Sequence, residues 1–457
     1  MDWKGKRVVI MGAARQGTAL AQYLDAQGAK VLLSDARDAA YFAEIQERLK
    51  DTKIEWRFGE QTLDLLKRAK LLSISGGVSP EHPLVQAALK KSIPLTNDSQ
   101  IFLEVAPCPV VGITGSAGKT TTTMLVGRML SALKHREGAK AWTGGNIGNP
   151  LIALVDKMTF ADIAVMELSS FQLEIMDRAP QIAALLNLAP NHLDRHATMA
   201  DYVAAKARIF DFQREDDIAV LNREDRGARS MAGRVKSLLW TFGRERQEDE
   251  RPGTYLVGKD IWLRDAEGES KLMPIAAISL RGEHNLLNVL AACCIAAAAG
   301  ARREDIVAGV EAFTGAPHRL ELVRTIDGVD WYNDSIATSP QRAEASLKSF
   351  DRPVVLLAGG RDKALNWENY AQLAGEKARK VLAFGEAANL VFEVFSKSQP
   401  RDSNVDLFAK MEDAIEAAHE IAREGEVVLL APGGTSFDEF ADFEARGQRF
   451  RELVEGL

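Results

Sequence analysis

The chain alternates short apolar runs with longer stretches of helical periodicity from its first residues onward. Apolar runs at Lys6 to Met11, Ala29 to Ser34 and Lys70 to Ile74 predict buried strands. Between the first two, apolar positions recur with helical spacing from Thr18 to Gln27, and Gly28 ends that helix. Strands that alternate with helices in this way are typical of a parallel sheet. We therefore predict a βαβ unit at the start of the chain.

The same alternation continues to the end of the chain, with one interruption. The segment 93–96 helps to finish the first unit, and further strands are predicted at residues 109–113, 139–142, 163–167, 183–188, 220–222, 329–332, 354–358, 380–384 and 427–430. Further helices are predicted at residues 98–104, 124–133, 199–210, 286–299 and 341–349. The charged, turn-rich stretch 242–272 departs from this pattern, and we interpret it as a hairpin at the surface.

Length and proline placement divide this pattern into three domains. A chain of 457 residues exceeds the size of one hydrophobic core. Pro107 and Pro109 stop a helix and stiffen the chain between two alternating series. We predict an α/β protein with domains at 1–107, 108–314 and 315–457. The first and third are expected to be Rossmann-like, and the second to have a mostly parallel sheet of the P-loop ATPase type.

The strand predicted at 109–113 runs into the sequence T-G-S-A-G-K-T-T at 114–121, which opens a helix. Small residues let the backbone N–H groups and the positive helix end approach an anion. Lys119 is then expected to bind the β- and γ-phosphates of a nucleotide, and the hydroxyl of Thr120 or Thr121 is expected to bind Mg²⁺. A turn without a ligand is the alternative, but a lysine beside two hydroxyls serves no packing purpose there. The candidate nucleotide contacts of this loop are Gly115, Ser116, Gly118, Lys119, Thr120 and Thr121.

Polar side chains follow the neighbouring strands. Glu167 ends an apolar strand, where a carboxylate is well placed to bind the Mg²⁺ that bridges nucleotide phosphates. His192 lies on the loop after the next strand, where either a metal or phosphate role or a structural role fits. Lys206 stands among alanines in a helix, and the pattern predicts a solvent-exposed side chain. Asn285 and Asn288 share one face of a helix start. They could cap that helix or bind an adenine edge, although capping explains only the first.

The N-terminal unit carries a degraded dinucleotide fingerprint. Its turn runs from Gly12 to Gly17 with Ala14 in place of the middle glycine, and Asp35 follows at a distance that suits a ribose hydroxyl. A nucleotide site and a purely structural tight turn both fit this pattern. Arg37 could meet a phosphate or be an ordinary solvated arginine. The glycines after the strand at 70–74 face the same crevice.

Composition narrows the classes of partner. The net charge of −7 does not indicate nucleic-acid binding. Because the overall charge is negative, any anionic substrate must be held by local positive groups. Three cysteines without metal-ligand spacing suggest buried thiols in a reducing compartment. The chain shows neither a signal peptide nor a membrane-spanning run, which points to the cytoplasm. We expect no nucleic-acid or membrane partner, and a monomer.

Ten motifs in order along the chain resemble those of the Mur ligase family. They are T-G-S-x-G-K-T-T (114–121), G-G-N-I-G (144–148), E-L-S-S-F-Q-L (167–173), N-H-L-D-R-H (191–196), A-K-x-R-I (205–209), H-N-x-x-N (284–288), P-H-R-L-E (317–321), N-D-S-x-A-T (333–338), G-G-x-D-K (359–363) and S-F-D-x-F (436–440). The resemblance covers essentially the whole chain. The N-terminal unit and the form E-L-S-S-F-Q-L favour the member that adds D-glutamate. Folylpolyglutamate synthases share the two later domains but not this first one.

The resemblance implies an ATP-dependent amide ligase of peptidoglycan precursor synthesis. In that family ATP phosphorylates a carboxylate, here that of UDP-N-acetylmuramoyl-L-alanine, and the amine of D-glutamate then displaces phosphate from the acyl phosphate. Such a reaction concentrates negative charge, so catalysis should depend on positioning and electrostatic neutralisation. The implied cofactors are ATP and two Mg²⁺ ions, at a site assembled where the three domains meet. The alternatives are a Mur-type ligase for another amino acid, an NAD-dependent oxidoreductase, and a non-catalytic nucleotide-binding module.

The resemblance also assigns roles to matching residues. The implied catalytic and metal-binding residues are Lys119, Thr120, Glu167, His192 and Lys206, the last as a carbamate that offers Mg²⁺ an anionic oxygen. Implied contacts of the UDP-linked substrate are Gly12, Gly17, Asp35, Arg37, Gly76, Gly77 and Asn146. Implied contacts of ATP are Asn285, Asn288, Arg319 and Asp334, and those of D-glutamate are Thr338, Lys363, Ser436 and Phe443.

Two positions depart from the family pattern. Ala117 stands where the phosphate loop usually has asparagine, which removes one side-chain contact but no backbone donor. Ile336 stands where N-D-S-K-A-T has lysine, which removes a positive charge beside the nucleotide and amino-acid groups. The relative affinities for substrates, or the residue that compensates, are therefore open at this second position.

Overall fold

The computed structural model describes residues 2–132, 138–190, 195–196, 198–246, 249–280, 282–311, 313, 315, 317–398 and 404–457. The chain divides into two compact units, Met1–Phe313 and Thr314–Leu457. Within the described ranges, the first unit holds two sheets and the second holds one. The fold is α/β with mostly parallel sheets, as predicted. The predicted boundary between the first and second domains stays a prediction.

The first sheet is parallel throughout, with strand order β3-β2-β1-β4-β5. Its strands are β1 Arg7–Met11, β2 Lys30–Asp35, β3 Glu55–Phe58, β4 Leu71–Ile74 and β5 Leu95–Thr96. The helices around it are α1 Arg15–Ala26, α2 Ala43–Arg48, α3 Pro83–Lys90 and α4 Asp98–Val105. The sequence missed β3, because this edge strand is at most half-buried and shows no apolar run.

Helix α1 begins three residues earlier than predicted, and this changes the role of Gly17. Gly17 lies inside α1 rather than in the turn. A Cβ on this residue would lie 1.8 Å from the carbonyl oxygen of Gly12. The glycine therefore lets the helix pack closely against the end of β1, which is a structural role.

The second sheet has the order β14-β13-β12-β11-β10-β9-β6-β8-β7. Its strands are β6 Val110–Thr114, β7 Ala141–Gly145, β8 Ile163–Glu167, β9 Ile182–Leu185, β10 Ile218–Asn222, β11 Leu238–Phe242, β12 Gly253–Val257, β13 Asp260–Asp265 and β14 Gly268–Pro274. The helices are α5 Lys119–Ser131, α6 Ser170–Leu173, α7 Met199–Asp211, α8 Arg226–Ser230, α9 Glu283–Ala298 and α10 Arg303–Glu311. The stretch predicted as a surface hairpin forms β12 to β14, whose two antiparallel pairs confirm hairpin connections and extend the edge of the sheet.

One hydrophobic cluster joins the two sheets of the first unit. Ile10 of β1 and Leu24 of α1 belong to the same buried cluster as Val110 of β6 and Met166 of β8. A second cluster, on α5, α9 and α10, covers the other face of the second sheet. Cys293 and Cys294 lie within it. All three cysteines are free and buried, as predicted.

Side-chain amides add polar links across the same boundary. Asn97, the N-cap of α4, donates through Nδ2 to the carbonyl oxygen of Gln172 at 2.8 Å. Gln172 Nε2 donates to Ser99 Oγ at 2.7 Å. The Oε1 atom of Gln100 accepts from the backbone N–H of Asp177 at 2.9 Å. The E-L-S-S-F-Q-L motif is thus tied to the end of the first sheet.

The second unit is a six-stranded sheet of order β15-β16-β20-β17-β18-β19 within the described residues. Its strands are β15 Glu321–Ile326, β16 Val329–Asn333, β17 Val354–Gly359, β18 Ala378–Phe384, β19 Val405–Phe408 and β20 Val427–Gly433. Its helices are α11 Pro340–Lys348, α12 Glu368–Lys377, α13 Ala388–Ser398, α14 Met411–Ile421 and α15 Phe443–Gly456. All neighbours are parallel except β15 with β16. The edge strands β15 and β19 were not predicted.

None of the helices in the described ranges is long and apolar enough to cross a membrane.

Candidate active site

The phosphate loop is the four-residue connection between β6 and α5. Gly118 caps the helix with φ of +80°, a conformation that glycine adopts without strain. Lys119 is the first residue of α5, and its Nζ donates to the carbonyl oxygen of Gly115 at 2.9 Å. Helix α5 starts five residues earlier than predicted, so the threonines lie in its first turns. The helix N-terminus and the lysine thus face the loop, as phosphate binding requires.

Strand order sets the neighbours of this loop. Because β6 lies between β8 and β9, their carboxyl ends flank the loop on its two sides. Glu167 ends β8 on one side, and Asn187 follows β9 on the other. The candidate nucleotide residues of the loop, Glu167 and Asn187 therefore lie at one sheet edge.

Asn187 holds the loop through both polar atoms of its side chain. Its Oδ1 accepts from the Ala117 N–H at 2.8 Å, and its Nδ2 donates to the Ala117 carbonyl oxygen at 3.1 Å. The backbone N–H of Ser116 donates to the Asn187 carbonyl oxygen at 3.0 Å. The loop is therefore fixed next to Ala117, where the family asparagine is absent. Sequence reasoning missed Asn187, although a polar residue just after a buried strand was a signal available to it.

Replacing Asn187 by alanine is expected to raise the KM for ATP several-fold with a smaller effect on kcat. The loop loses two hydrogen bonds, each worth about 1 kcal/mol, and must be ordered when the nucleotide binds. Steady-state kinetics with ATP as the varied substrate measures this effect. Asn149, outside this contact, offers a matched control as Asn149→Ala. Equal KM values for the Asn187→Ala and wild-type proteins would contradict the assignment.

Glu167 is a buried carboxylate with a defined orientation. The residue is 2% exposed. Its Oε2 accepts from the Thr120 hydroxyl at 2.9 Å, and its Oε1 accepts from Asn146 Nδ2 at 3.1 Å. Of the two threonines proposed for Mg²⁺, Thr120 therefore points to the carboxylate, whereas Thr121 is buried within α5. A hydroxyl and a carboxylate form an oxygen donor set that suits Mg²⁺.

A metal site made by the protein alone is not found in the described residues. No three His, Cys, Asp or Glu side chains cluster there as metal ligands. Mg²⁺ commonly binds through one or two carboxylates and completes its shell with water and substrate phosphates. The donor set at Glu167 and Thr120 therefore fits Mg²⁺ that arrives with a nucleotide.

Lys206 is buried, so the prediction of an exposed helix lysine was wrong. It is 2% exposed, and its Nζ donates to Thr114 Oγ1 at 3.1 Å and to the Gly115 carbonyl oxygen at 3.0 Å. Burial lowers the pKa of Lys206 well below its ordinary value, and the positive charge of Lys119 lowers it further. The alanines beside it reflect packing in α7, because their small side chains let the helix approach the sheet.

The predicted residue His192 lies outside the described residues. His196 of the same motif is described and buried. Its Nε2 lies 3.0 Å from Ser170 Oγ, and its ring stacks on Phe171 with 5.3 Å between centroids. His196 therefore anchors the start of α6 in the E-L-S-S-F-Q-L motif.

A cavity of about 700 Å³ opens at the carboxyl ends of both sheets in the first unit. Among the residues that line it are the predicted Gly12, Asp35, Arg37, Gly76, Gly77 and Asn146. Gly17 does not line it, because α1 buries this residue against Gly12. Gln16 of the predicted turn Gly12 to Gly17 also lines the cavity, and so does Phe171, which was not predicted. Asn146 thus borders this cavity and also contacts Glu167 beside the phosphate loop.

Asp35 and Arg37 form a bidentate pair at the cavity. Arg37 donates to the carboxylate from Nε at 2.9 Å and from a terminal nitrogen at 3.0 Å, and the Ala13 N–H donates at 2.8 Å. Burial alone would raise the pKa of Asp35, but these hydrogen bonds lower it. The guanidinium carbon lies 4.2 Å from the ring centroid of Tyr41. Both side chains are therefore fixed, and Arg37 is not an ordinary solvated arginine.

The two asparagines of α9 lie beside the phosphate loop. Gly282 is the N-cap of α9, so the interpretation of Asn285 as a cap was wrong. Asn288 Nδ2 donates to Asn285 Oδ1 at 3.1 Å. A Cβ on Gly118 would lie 2.2 Å from Asn288 Oδ1, so this glycine is needed for the approach of α9. The adenine role of the pair stays a prediction.

In the second unit the predicted residue Asp334 is buried at the end of β16. Its carboxylate accepts from the Leu320 N–H at 2.9 Å and from the hydroxyl of Ser346. Burial raises the pKa of Asp334, and the charges of Arg319 and Arg342 act in the opposite direction. The predicted Arg319 is thus near Asp334 without an ion pair to it within the described chain.

The remaining predicted residues of this unit follow strands of its sheet. Thr338 follows β16, Lys363 follows β17, Ser436 follows β20 and Phe443 begins α15. Ser436 is buried, whereas Lys363 is exposed. The positions of Thr338, Lys363 and Ser436 after the carboxyl ends of strands agree with a ligand site. The contacts of all four residues with D-glutamate stay predictions.

Arg446 organises these loops and was missed by the sequence. It is fully buried in α15 and donates to Ser335 Oγ, to the Ser335 carbonyl oxygen and to the Thr435 carbonyl oxygen, each at 3.0 Å. Burial lowers the pKa of Arg446 to about 10. A guanidinium has five donors, so one side chain can fix two loops at once.

Family models match three segments of the chain. The Mur ligase MurD-like N-terminal domain matches residues 6–97, the Mur ligase middle domain matches 113–296, and the glutamate ligase domain of Mur ligases matches 318–434. Together they cover most of the sequence.

Whole-length relatives agree with these matches. The UDP-N-acetylmuramoylalanine--D-glutamate ligase of Koribacter versatilis is 40% identical over 99% of this chain and 98% of its own length. The ligase of the same name from Clostridium novyi is 37% identical over 99% of this chain and 97% of its own length.

Solved structures share the fold at lower identity. UDP-N-acetylmuramate-alanine ligase MurC of Thermotoga maritima has a TM-score of 0.56 at 17% identity and covers 98% of this chain and 99% of its own. MurF of Acinetobacter baumannii has a TM-score of 0.55 at 17% identity, over 99% of this chain and 92% of its own. A phosphate loop beside a buried carboxylate, three matched domains and relatives of full length lead to one conclusion: the chain belongs to the Mur ligase family.

Proposed function

We propose that this protein is an ATP-dependent ligase that joins D-glutamate to the alanine carboxylate of UDP-N-acetylmuramoyl-L-alanine. The observation that carries the proposal is the pairing of Thr120 with buried Glu167 beside Lys119 of the phosphate loop. Relatives that bear the name of this D-glutamate ligase, at 40% and 37% identity, supply the substrates. The carboxylate takes the γ-phosphoryl group of ATP to form an acyl phosphate, and the amine of D-glutamate then displaces phosphate to form the amide.

The residues around the loop suit this chemistry. Lys119 and the N-terminus of α5 attract the phosphates of ATP, while Asn187 keeps the loop in place. Thr120 and Glu167 would hold Mg²⁺, which supplies neutralisation of phosphate charge when bound. We extend the proposal to a second Mg²⁺ served by His192 and a carbamylated Lys206. Glu167 is buried, and electrostatic interactions of its carboxylate with a bound cation are stronger there than at the surface.

The surroundings of Lys206 support the carbamate. A lysine reacts with CO₂ only as the neutral amine, and burial favours that form. The Nζ atom lies within hydrogen-bond distance of Thr114 and Gly115, at the start of the phosphate loop. A carbamate at this nitrogen would place anionic oxygen near the phosphates, where Mg²⁺ needs ligands.

The cavity of the first unit suits the UDP-linked substrate. The turn at Gly12, the fixed pair of Asp35 and Arg37, and the loop at Gly76 offer polar contacts to a nucleotide. Asn146 borders the cavity and contacts Glu167, so it suits the muramoyl end near the phosphate loop. In the second unit, Arg319 and Asp334 are proposed for ATP, and Thr338, Lys363, Ser436 and Phe443 for D-glutamate. We place the reaction in the cytoplasm and the chain as a monomer.

An NAD-dependent oxidoreductase fits less well. In such enzymes a carboxylate like Asp35 accepts from a ribose hydroxyl. Here both oxygens of Asp35 already accept from Arg37, and one also accepts from Ala13. The oxidoreductase would also leave the phosphate loop and Glu167 without a role.

Phosphate release tests the proposal directly. Incubation with ATP, Mg²⁺ and UDP-N-acetylmuramoyl-L-alanine is expected to release phosphate when D-glutamate is added, and much less with other D- and L-amino acids. The matched controls are L-glutamate, which differs only in configuration, and a reaction without ATP. Faster turnover with another amino acid would overturn the specificity, and turnover without ATP would overturn the reaction type.

A further inference from the structure

Arg342 of the second unit lies within electrostatic range of two other positive side chains, Arg319 and Lys363. Arg319, Arg342 and Lys363 form no side-chain hydrogen bond or ion pair in the part of the chain that the structure describes. Several other arginines of this unit are paired. Arg361 binds Glu386 at 2.8 Å, and Arg379 binds Glu426 at 2.5 Å.

The charge of Arg342 is influenced by its neighbours. Partial desolvation lowers the pKa of Arg342, the positive charge of Arg319 lowers it further, and the buried carboxylate of Asp334 acts in the opposite direction. The pKa of Lys363 is lowered by partial burial and then by the charges of Arg342 and Arg446. Like charges at one place repel, and an anion that binds between them removes that cost.

Helix α11 fixes the position of Arg342. Ser346, one turn further along this helix, donates its hydroxyl to buried Asp334. Residues four apart share one helix face, so Arg342 lies on the face that α11 turns toward Asp334. Ser346 Oγ also contacts the Arg342 carbonyl oxygen at 3.0 Å. Arg342 and Lys363 are exposed, so a ligand can reach them.

Ile336 leaves its turn without the positive charge that the family lysine provides. The lysine of the family motif N-D-S-K-A-T is absent, and a half-buried isoleucine fills its place. The Ile336 N–H donates to the His318 carbonyl oxygen at 3.1 Å, and the Thr338 N–H donates to the Ile336 carbonyl oxygen at 2.8 Å. The turn is therefore fixed with no cation on it.

We propose that Arg342 replaces the missing lysine and, with Arg319 and Lys363, forms a site for an oxyanion of a substrate. The oxyanion is a phosphate group of ATP or a carboxylate of the amino acid, since a guanidinium fork matches either one. This proposal rests on the proposed function and adds a residue to it. Arg342 contacts the substrate, so it is a binding residue of this site.

Kinetics of Arg342→Ala in the full chain test the assignment. We expect KM to rise about tenfold or more for the substrate whose oxyanion is bound. A rise for ATP identifies the phosphate, and a rise for D-glutamate identifies the carboxylate. The KM of Arg342→Lys is expected to lie between those of the wild-type and Arg342→Ala proteins, because lysine keeps the positive charge but lacks the forked guanidinium. Adding Ile336→Lys to Arg342→Ala is expected to recover much of the lost affinity.

Lys348→Ala is the matched control, because it removes one exposed positive charge from the same helix. It should leave both KM values unchanged. The Tm of Arg342→Ala is expected to stay close to that of the wild-type protein, because the relieved repulsion from Arg319 is offset by the lost attraction to Asp334. A purely structural role would instead lower Tm without a selective change in KM, and that result would overturn the proposal.

Calorimetric titrations show whether the role of Arg342 fails independently of the proposed ligase function. Wild-type and Arg342→Ala proteins are titrated with AMP-PNP and Mg²⁺, and separately with D-glutamate. If the wild-type protein fails to use D-glutamate, the proposed function fails, and the AMP-PNP titration still decides the role of Arg342. Unchanged affinities and KM values in the Arg342→Ala protein would overturn the oxyanion site.

Discussion

Replacing Lys206 by alanine is expected to lower kcat about 1000-fold, and acetate or propionate is expected to restore part of the activity. The side chain is buried at the start of the phosphate loop, and its low pKa favours the neutral amine that takes up CO₂. Alanine removes the anionic oxygens of the proposed carbamate and leaves a space that a small carboxylic acid can enter. The measurement is the rate of phosphate release at rising concentrations of added acid.

Two controls distinguish loss of the carbamate from misfolding of the Lys206→Ala protein. Lys90→Ala removes an exposed lysine from α3 and should have wild-type activity without any response to acetate. The wild-type protein incubated with ¹³C-bicarbonate is expected to show a carbamate signal by NMR that the Lys206→Ala protein lacks. Full activity in Lys206→Ala, or the same signal in both proteins, would refute the carbamate.

Replacing Glu167 by glutamine is expected to lower kcat by about 100-fold to 1000-fold and to raise the Mg²⁺ concentration needed for half-maximal rate. Glutamine has nearly the same shape and can still accept a hydrogen bond from Thr120, so the loss reports the negative charge. Glu167→Asp keeps that charge on a shorter side chain and should retain more activity. Rates of phosphate release across a Mg²⁺ titration measure both effects.

Asp162 provides the matched control, because it is a buried carboxylate just before the opposite end of β8. It accepts from the Lys140 N–H at 2.7 Å and from Trp142 Nε1 at 3.1 Å, which are structural contacts. Asp162→Asn is therefore expected to lower Tm without changing the Mg²⁺ requirement. If Glu167→Gln also lowered only Tm, the metal-binding role of Glu167 would be wrong.

The sequence predicted most strands with unbroken apolar runs and missed strands of mixed burial, among them the edge strands β3 and β15 and the interior strand β11. Central strands such as β8 are buried on both faces, so they appear as unbroken apolar runs. The edge strands β3 and β15 are half-buried with mixed polarity, and no period distinguishes them from loops. The start of α1 was placed too late, because glycine at position 17 was taken as part of a turn.

Candidate site residues were predictable where chemistry shows in a local motif. Glu167 stands at a strand end and Lys119 at the helix start after a strand, and both were found for that reason. The burial of Lys206 was not predictable, because it depends on the strands that α7 packs against. Asn187 acts through contacts with a loop that is distant in sequence. The proposed role of Arg342 depends on its charge having no bonded partner among the described residues. Neither property is visible in the order of residues along the chain.

The shared hydrophobic cluster and the amide links of Gln172 have a consequence for folding. The Asn97 amide nitrogen and the Ser99 hydroxyl bind Gln172 of α6, which follows β8 of the second sheet, and Ile10 packs in a cluster that includes Val110. Separating the two sheets would expose apolar surface and leave those amides and hydroxyls without their bonds. The two sheets therefore behave as one cooperative folding unit, and Pro107 marks a change of sheet rather than a point where the chain could be cut into autonomous pieces.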